Sequence, residues 1–518
     1  MMMQRIPITW GLVIRFCTVA IFVLLSVASL MFSAYLFVTV NSTYTFVLAC
    51  AFLGLSLFAG FFNFYASVSY FRSYFYDRYI DAITARLKPL KRLPTVAVIM
   101  PVYNEDTEVV QKDMKRLLDL DYPKNKIKFY MVDDSTTRGT KEKLERFCKN
   151  NGVIFFHRDN RKGYKAGAVN NMLKHSKEEF VAIIDADEYL INTGFLKDLL
   201  PYFSDDKVAY VQTEKRSQKG TFFSEAVDLF DGFFFRFIQP HRALNNTALF
   251  AGSCGVIRRS AIDVVGGFPE YVIEDTFFSL ESDMHNYKSI YVPKVYALGK
   301  PMKTYTALVK QQWRYNYGDT QFIRYYAKRS MESKRLSPWA MLDYIGHGFG
   351  LNYLSLVLIA FTVLSVFVSF STLPFVHMTI KQLIQATYIS RYLEVFGGIA
   401  FVLSMIAPAV LTKVYFGSLK KGFMIFFLNF ALAIARSKAA IAAITHKSSS
   451  WKPLRAGTTR SHDIRYAIMN TKAEIVMSAS LLSMGFFAMM TSNIPGTVWL
   501  LTYGVLYLFA TVLIYKYG

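Results

Sequence analysis

Cysteine is nearly absent: the 518-residue chain has four, Cys17, Cys50, Cys148 and Cys254, with no paired spacing. That excludes a disulfide framework and a cysteine zinc site, and leaves all four as small buried hydrophobes. Acidic residues are short as well, 37 against 59 Lys and Arg, for a net charge of +22. In a soluble protein such an excess raises nucleic acid as a partner, but no nucleic-acid motif is present. The basic residues gather beside apolar runs, so membrane topology accounts for them and nucleic acid is not expected. Charge of either sign is missing from Phe16 to Ser42 and again from Thr43 to Phe71.

What is abundant is apolar surface, 53% hydrophobic and 16% aromatic residues, more than one soluble core needs. Each charge-free stretch exceeds the ~20 residues that cross hydrocarbon, so the two form a helical hairpin linked near Asn41, Ser42 and Thr43. Arg5 and Arg15 precede it and Arg72 and Arg78 follow, which puts both ends in the cytoplasm. The first stretch is too long, and the second returns too soon, for a cleaved signal peptide.

Beyond Asp343 a charge-free run reaches Ile380, and Val395 to Thr412 makes a second hairpin after a link carrying Lys381, Arg391 and Glu394. Gly422 to Ala435 is only 14 residues, with Lys420 and Lys421 before it and Arg436 and Lys438 after, which predicts an interfacial or re-entrant helix. The basic loop from His446 to Lys472 is expected to be cytoplasmic. Ile475 to Tyr515 is broken at Ser492-Asn493-Ile494-Pro495-Gly496, the punctuation of a turn between two helices. The expectation is a multi-pass integral protein of the plasma membrane with about six spans and both termini cytoplasmic.

Residues 90 to 300 read differently. Short apolar runs at Val96–Met100, Phe129–Val132, Val153–Phe156, Val181–Ile184 and Val208–Gln212 alternate with polar, helix-like segments, and several end in acidic residues. This is the pattern of a doubly wound, Rossmann-like α/β domain whose strand ends carry the chemistry. The predicted organisation is a hairpin over 1–75, a cytosolic α/β domain over 76–300, interfacial helices over 301–340 and a C-terminal membrane region over 341–518. The last contains an interfacial helix at 422–445 and a cytosolic loop at 446–472. The aromatic segment from Phe222 to Ala243 is too charged to span and reads as an interfacial or a core-packing helix.

The acidic residues at strand ends are candidates for chemistry. Asp185-Ala186-Asp187 follows Val181–Ile184, so two hard oxygen donors suited to Mg2+ or Mn2+ emerge together. Asp133-Asp134-Ser135 follows Phe129–Val132, where a helix cap or turn is the bland reading. Tyr103 and Glu105, after Val96–Met100, could meet a base and a ribose, or simply form a surface turn. Glu274-Asp275 follows Gly266-Gly267-Phe268-Pro269 and offers a carboxylate for proton abstraction. Gln311-Gln312-Trp313-Arg314-Tyr315 adds a cation for phosphate and aromatic faces for a sugar, although an arginine near a bilayer also snorkels.

In content and order these motifs resemble the membrane-bound glycosyltransferase family 2 enzymes that include cellulose and hyaluronan synthases. Lys162-Gly163-Tyr164-Lys165-Ala166-Gly167 is similar to the family's Lys-Ala-Gly segment, and Ala251-Gly252-Ser253-Cys254-Gly255 to its small-residue loop. The resemblance implies a GT-A type domain and an inverting hexosyl transfer from a UDP- or GDP-hexose. It places Tyr103, Glu105, Asp133, Asp134, Lys165, Asp185, Gln311 and Arg314 at the donor, and Asp185 and Asp187 at a Mg2+ or Mn2+ ion. Asp275 is the implied base, with Glu274 and Arg314 beside it, and Ser253, Cys254, Gln312, Trp313 and Tyr315 meet the acceptor. Ala435-Arg436-Ser437-Lys438 and Ser450-Trp451-Lys452 fall where the family has its last interfacial helix and gating loop.

The family's Gln-x-x-Arg-Trp ends here in Tyr315, and residues 447–460 lack its Phe-x-Val-Thr-x-Lys pattern. The residues therefore point to sugar transfer more directly than to processive polymerisation. No cyclic-nucleotide domain follows the last span, so a second-messenger switch within the chain is not expected. Expected partners are the nucleotide-sugar, a glycan or lipid-linked acceptor, and membrane lipids. The alternatives are a non-processive enzyme adding one mannose or glucose to a polyprenyl lipid or lipid-linked oligosaccharide, and a transporter with a regulatory soluble domain. The few intramembrane charges speak against the transporter.

Overall fold

The structure, a computed structural model, describes residues 8–38, 43–88, 90–332, 336–371, 409–446, 461–490 and 494–518. The link at Asn41 and Ser42, residues 372–408 of the expected second hairpin, the gating-like segment around Trp451 and Lys452, and Ser492-Asn493 lie outside the described residues.

The α/β domain is built on an eight-stranded sheet in the order β3-β2-β1-β4-β7-β6-β8-β5. Its strands are β1 (Val96–Val102), β2 (Ile127–Asp133), β3 (Ile154–His157), β4 (Phe180–Ile183), β5 (Glu188–Leu190), β6 (Val208–Ser217), β7 (Gly255–Arg258) and β8 (Lys288–Gly299). All five predicted apolar runs fall on strands. β1, β2, β3 and β4 pair in parallel. Both faces of β1 and β4 are covered, which explains their continuous hydrophobicity. The sheet is mixed, however, because β7 runs antiparallel to β4 and β6, and β5 runs antiparallel to β8. Beyond β4 only β6 and β8 pair in parallel, so the sheet departs from a doubly wound parallel one.

Two core clusters sandwich this sheet. One, with Val98, Met100, Met131 and Ile184, lies under the long second helix, and the other, with Ile99, Val132, Val169 and Phe268, lies on the opposite face. The helix α1 (Ile8–Val38) leads into α2 (Thr43–Ala85), whose 43 residues make about 64 Å of helix. That is about twice a hydrocarbon core of ~30 Å. Its C-terminal part therefore reaches the α/β domain, where Tyr76 is buried and its hydroxyl bonds the Tyr291 carbonyl.

Among the described residues four helices are long and apolar enough to cross a membrane: Ala49–Ala85, Leu419–Ile444, Lys472–Met490 and Thr497–Tyr517. The 14-residue run expected to stop at Ala435 is part of the 26-residue Leu419–Ile444 helix. Arg436 does not end it, being 1% exposed and hydrogen-bonded to two amide oxygens, so shortness no longer argues against a crossing. The aromatic segment folds as a helix over Phe222–Phe233, a π-turn over Phe234–Ile238 and a second helix over Gln239–Leu244. It packs against the apolar helices, with Phe223 stacked on Tyr517 at 4.6 Å and Phe237 against Tyr70.

Candidate active site

Three loops leave the C-terminal ends of β1, β2 and β4 on one side of the sheet, as in open α/β sheets that bind ligands there. After β1, Asn104 takes a left-handed φ of 57°, which asparagine tolerates. Its side-chain oxygen accepts from the Thr136 and Thr137 backbone N–H groups at 2.8 and 3.0 Å, tying the first loop to the second. Tyr103 is exposed, and the Arg161 guanidinium lies 3.2 Å from its ring centroid. Glu105 turns back to accept from the Tyr103 N–H, and burial, then Asp187 and Asp185, raise its pKa. Its carboxylate thus lies within the electrostatic reach of Asp185 and Asp187.

At the end of β2, Asp133 is fully buried and meets His157 Nδ1 at 2.7 Å while accepting from the Ser135 N–H. Asp134 makes a two-pronged pair with Arg158, Nε at 2.8 Å and Nη2 at 2.5 Å. Both carboxylates hold the loop in place. Neither His157 nor Arg158 stood out in the sequence, because their partners lie 24 residues away on a neighbouring strand.

After β4, Asp185 pairs with Lys165 from the helix Tyr164–Leu173, and Lys165 also donates to the Gly252 carbonyl at 2.9 Å. Asp187 reaches the cleft surface and makes no ion pair among the described residues; desolvation, then Asp185 and Glu188, raise its pKa. Glu188 is a functional residue that sequence reasoning missed, although it directly follows Asp187. It is buried, pairs with Lys215 of β6 at 2.9 Å, and accepts from Ser253 Oγ at 2.7 Å, Cys254 Sγ at 3.1 Å and the Asp185 N–H at 3.1 Å.

That network corrects the placement of Ser253 and Cys254. Both are buried behind the cleft wall, facing Glu188 instead of an acceptor, and burial followed by Glu188 pushes the Cys254 thiol well up. The φ of 53° at Cys254 turns its side chain inward. The neighbouring Gly252, at φ 80°, is where the two halves of the cleft meet, since a Cβ there would lie 3.2 Å from Asp275 Oδ2.

Glu274 and Asp275 occupy the first turn of the helix Glu274–Met284. Asp275 Oδ1 accepts the Thr276 N–H at 2.8 Å, and neither carboxylate pairs with a cation among the described residues. Burial, then the charge of Asp275, pushes Glu274 up to about 7. Burial also raises Asp275, while Lys165, Lys215 and Arg314 oppose the shift from a distance. Arg314, exposed on the helix Tyr305–Glu332, acts on both acids and lies 5.5 Å from the Tyr315 ring.

The rest of the Gln-Gln-Trp-Arg-Tyr motif diverges by helical periodicity. Gln311 lines a small polar cavity with Asp228, Asp231 and Lys300, ≈ 50 Å³ in volume. Gln312 turns the other way, and its oxygen accepts from Arg436 Nη2 at 2.6 Å. Trp313 packs on the alanine face of the Leu419–Ile444 helix, at Ala439, Ala442 and Ala443. Its indole N–H is buried without an acceptor among the described residues. Of the five expected acceptor contacts, only Tyr315 stays beside Arg314, Asp231 and Asp275.

A metal ion finds hard donors in Asp185 and Asp187, but among the described residues no three His, Cys, Asp or Glu side chains converge on one point. The fit is to a cation that draws further ligands from a bound anion, as magnesium commonly does from phosphates.

Residues 97–266 match the family model of Glycosyl transferase family 2. The match takes in Asp133, Lys165, Asp185 and Asp187 and stops short of Glu274. The chain is 31% identical over 239 residues to a UDP-forming cellulose synthase catalytic subunit of Pseudomonas fluorescens, covering 45% of this chain and 32% of that protein. It is 29% identical over 259 residues to a probable glucomannan 4-beta-mannosyltransferase of Oryza sativa, covering 48% and 45%. The matched part is thus less than half the length of either relative. A mannosyltransferase from Pyrobaculum calidifontis, solved with GDP-Man and Mn2+, superposes with a TM-score of 0.48 at 18% identity, covering 74% of this chain and 99% of that one. Residues 97–266 are a glycosyl transferase family 2 domain, with an α/β fold of the GT-A type.

Proposed function

We propose that this chain is a membrane-embedded, inverting hexosyltransferase that moves a sugar from a UDP- or GDP-hexose to a membrane-associated glycan. The observation that carries the reading is the meeting at Gly252 of two unlike carboxylate sites: Asp185, held by Lys165, and the unpaired Glu274–Asp275. The first suits a cation and diphosphate. The second suits proton transfer, because a buried like-charge pair has its pKa lifted toward neutrality.

In this reading an acceptor hydroxyl attacks the anomeric carbon, its proton passes to Asp275, and the nucleoside diphosphate departs from the opposite side with the bonding electrons. Lys165 and Arg314 supply positive charge near the departing group. Asp185 and Asp187 would hold a Mg2+ or Mn2+ that neutralises the diphosphate. The polar cavity lined by Asp228, Asp231, Lys300 and Gln311 offers hydrogen-bond partners for acceptor hydroxyls, and Tyr315 an aromatic edge beside it.

Transfer of a single hexose to a lipid-linked acceptor is the second reading, favoured by Trp313 being packed away from the cleft, which leaves the smaller Tyr315 as platform. Incubating purified protein with UDP- and GDP-hexoses and Mn2+ tests the class. Nucleotide release from one donor, dependent on metal and acceptor, is expected, and product length separates the two readings. No release from any donor in the panel would overturn the proposal.

A further inference from the structure

We propose that Asn170 is a positioning residue for the Glu274–Asp275 pair, an inference that rests on the transferase reading above. Asn170 lies on the helix Tyr164–Leu173, five residues beyond Lys165, and is half-buried. Its amide grips the backbone of Phe268 from both sides: Nδ2 donates to the Phe268 carbonyl at 2.8 Å, and Oδ1 accepts the Phe268 N–H at 2.8 Å. A side-chain amide offers one donor and one acceptor in a fixed plane, so it can close such a two-bond clamp on a peptide. Serine and alanine cannot.

The clamp fits the turn it holds. Gly267 has φ 101°, and a Cβ there would lie 2.8 Å from Asn170 Oδ1, so the glycine and the asparagine require each other. The held residue reaches the acid pair through its ring. Phe268 is buried and packs on Phe278 with centroids 4.9 Å apart, and Phe278 is one helical turn beyond Asp275. A second contact acts in the same direction, since the Glu270 carboxyl group lies against Gly163, where a Cβ would sit 2.5 Å from its Cδ. The loop that delivers the acids is therefore fastened at two points to the element that carries Lys165. A shift of about 1 Å in a reacting group can cost ~100-fold in rate, so this joint sets how well base and donor are aligned.

The experiment compares Asn170→Ala, Asn170→Asp and Gly267→Ala with Asp275→Asn in the full-length protein. Affinity for UDP or GDP with Mn2+ is measured by calorimetry, and turnover with the donor accepted by wild type. Asn170→Asp keeps the acceptor for the Phe268 N–H but faces the carbonyl with a second oxygen. Gly267→Ala displaces the same turn from its other side. All three should lower turnover by about 10- to 100-fold while nucleotide affinity stays within about threefold, with Asn170→Asp the mildest. Affinity lost in step with turnover in all three variants would mean that the whole helix has moved, and overturns the proposal. So does wild-type turnover in all three alongside an inactive Asp275→Asn. If Asp275→Asn itself keeps full turnover, the transferase assignment of that pair fails first, and the two failures are told apart.

Discussion

The two sides of the cleft treat their carboxylates in opposite ways. On the proposed donor side, at the ends of β2 and β4, each of these buried acids has a side-chain partner: Asp133 has the His157 imidazole, while Asp134, Asp185 and Glu188 have the cations Arg158, Lys165 and Lys215. On the acceptor side, in the first turn of the helix Glu274–Met284, two adjacent acids share a pocket with no ion pair among the described residues. A paired carboxylate keeps a fixed charge and a fixed place, which suits binding. An unpaired, buried pair sits close to a protonation change, which suits chemistry. Asp187 stands apart on the donor side as the acid that reaches the cleft without a cation.

The sharpest way to break this comparison is at Asp187. Asp187→Asn is expected to reduce transfer to background and to weaken nucleotide binding chiefly when metal is present, because the hard donor facing the diphosphate is lost. Thermal stability should barely change, since the side chain holds nothing else in place. Equal nucleotide affinity with and without metal in both wild type and mutant would remove Asp187 from the cation site.

Glu188→Gln probes the opposite case, a carboxylate that builds the site without touching the substrate. Breaking a buried ion pair costs about 3 kcal/mol, which for this size of domain lowers Tm by roughly 6–12 °C. Asp187→Asn and Glu188→Gln should therefore separate cleanly, one losing metal-dependent affinity and the other losing stability. A Glu188→Gln protein as stable as wild type would contradict the pairing with Lys215.

A smaller effect tests the acceptor side. Burial, then Asp275, lifts Glu274 to about 7, and the repulsion is mutual, so the pair titrates as one unit. The assigned base, Asp275, is raised by burial and works only when ionised, so turnover should rise with pH above the ordinary aspartate range. Glu274→Gln removes the neighbouring charge, lets Asp275 ionise more easily, and should move the acid limb down by about one pH unit. A carboxyl whose folded pKa is raised also favours the fold most at low pH. Its contribution is therefore lost as pH rises from the ordinary glutamate value through about 7. An acid limb that does not move in Glu274→Gln would show that the two acids are not coupled.

The donor side was far more legible in the sequence than the acceptor side, for physical reasons. β1, β2 and β4 are buried strands that end in acids, so apolar runs and the residues after them mark both fold and site. β5 has only three residues, and Pro293 and Lys294 interrupt the apolar sequence of the 12-residue β8, so neither leaves a clear periodic signal. Glu274 and Asp275 could be found from the turn before them. The faces that Gln312 and Trp313 present are decided by packing against the Leu419–Ile444 helix, which lies more than 100 residues away. Ser253 and Cys254 were assigned to the acceptor only through the resemblance of their loop, and their contacts to Glu188 form across 65 and 66 residues of sequence. His157, Arg158, Lys215 and Asn170 were silent because their roles exist only once distant strands and loops are brought together.

The division of labour between the two sides is tested most directly by measuring donor affinity and turnover on the same folded Asp275→Asn protein. Asparagine keeps the size and the Thr276 hydrogen bond but cannot take a proton. The account predicts nucleotide affinity close to wild type and turnover lower by about 10² to 10⁴. Near-normal turnover would contradict it, leaving Asp275 as a stabiliser of its helix N-terminus and the base elsewhere.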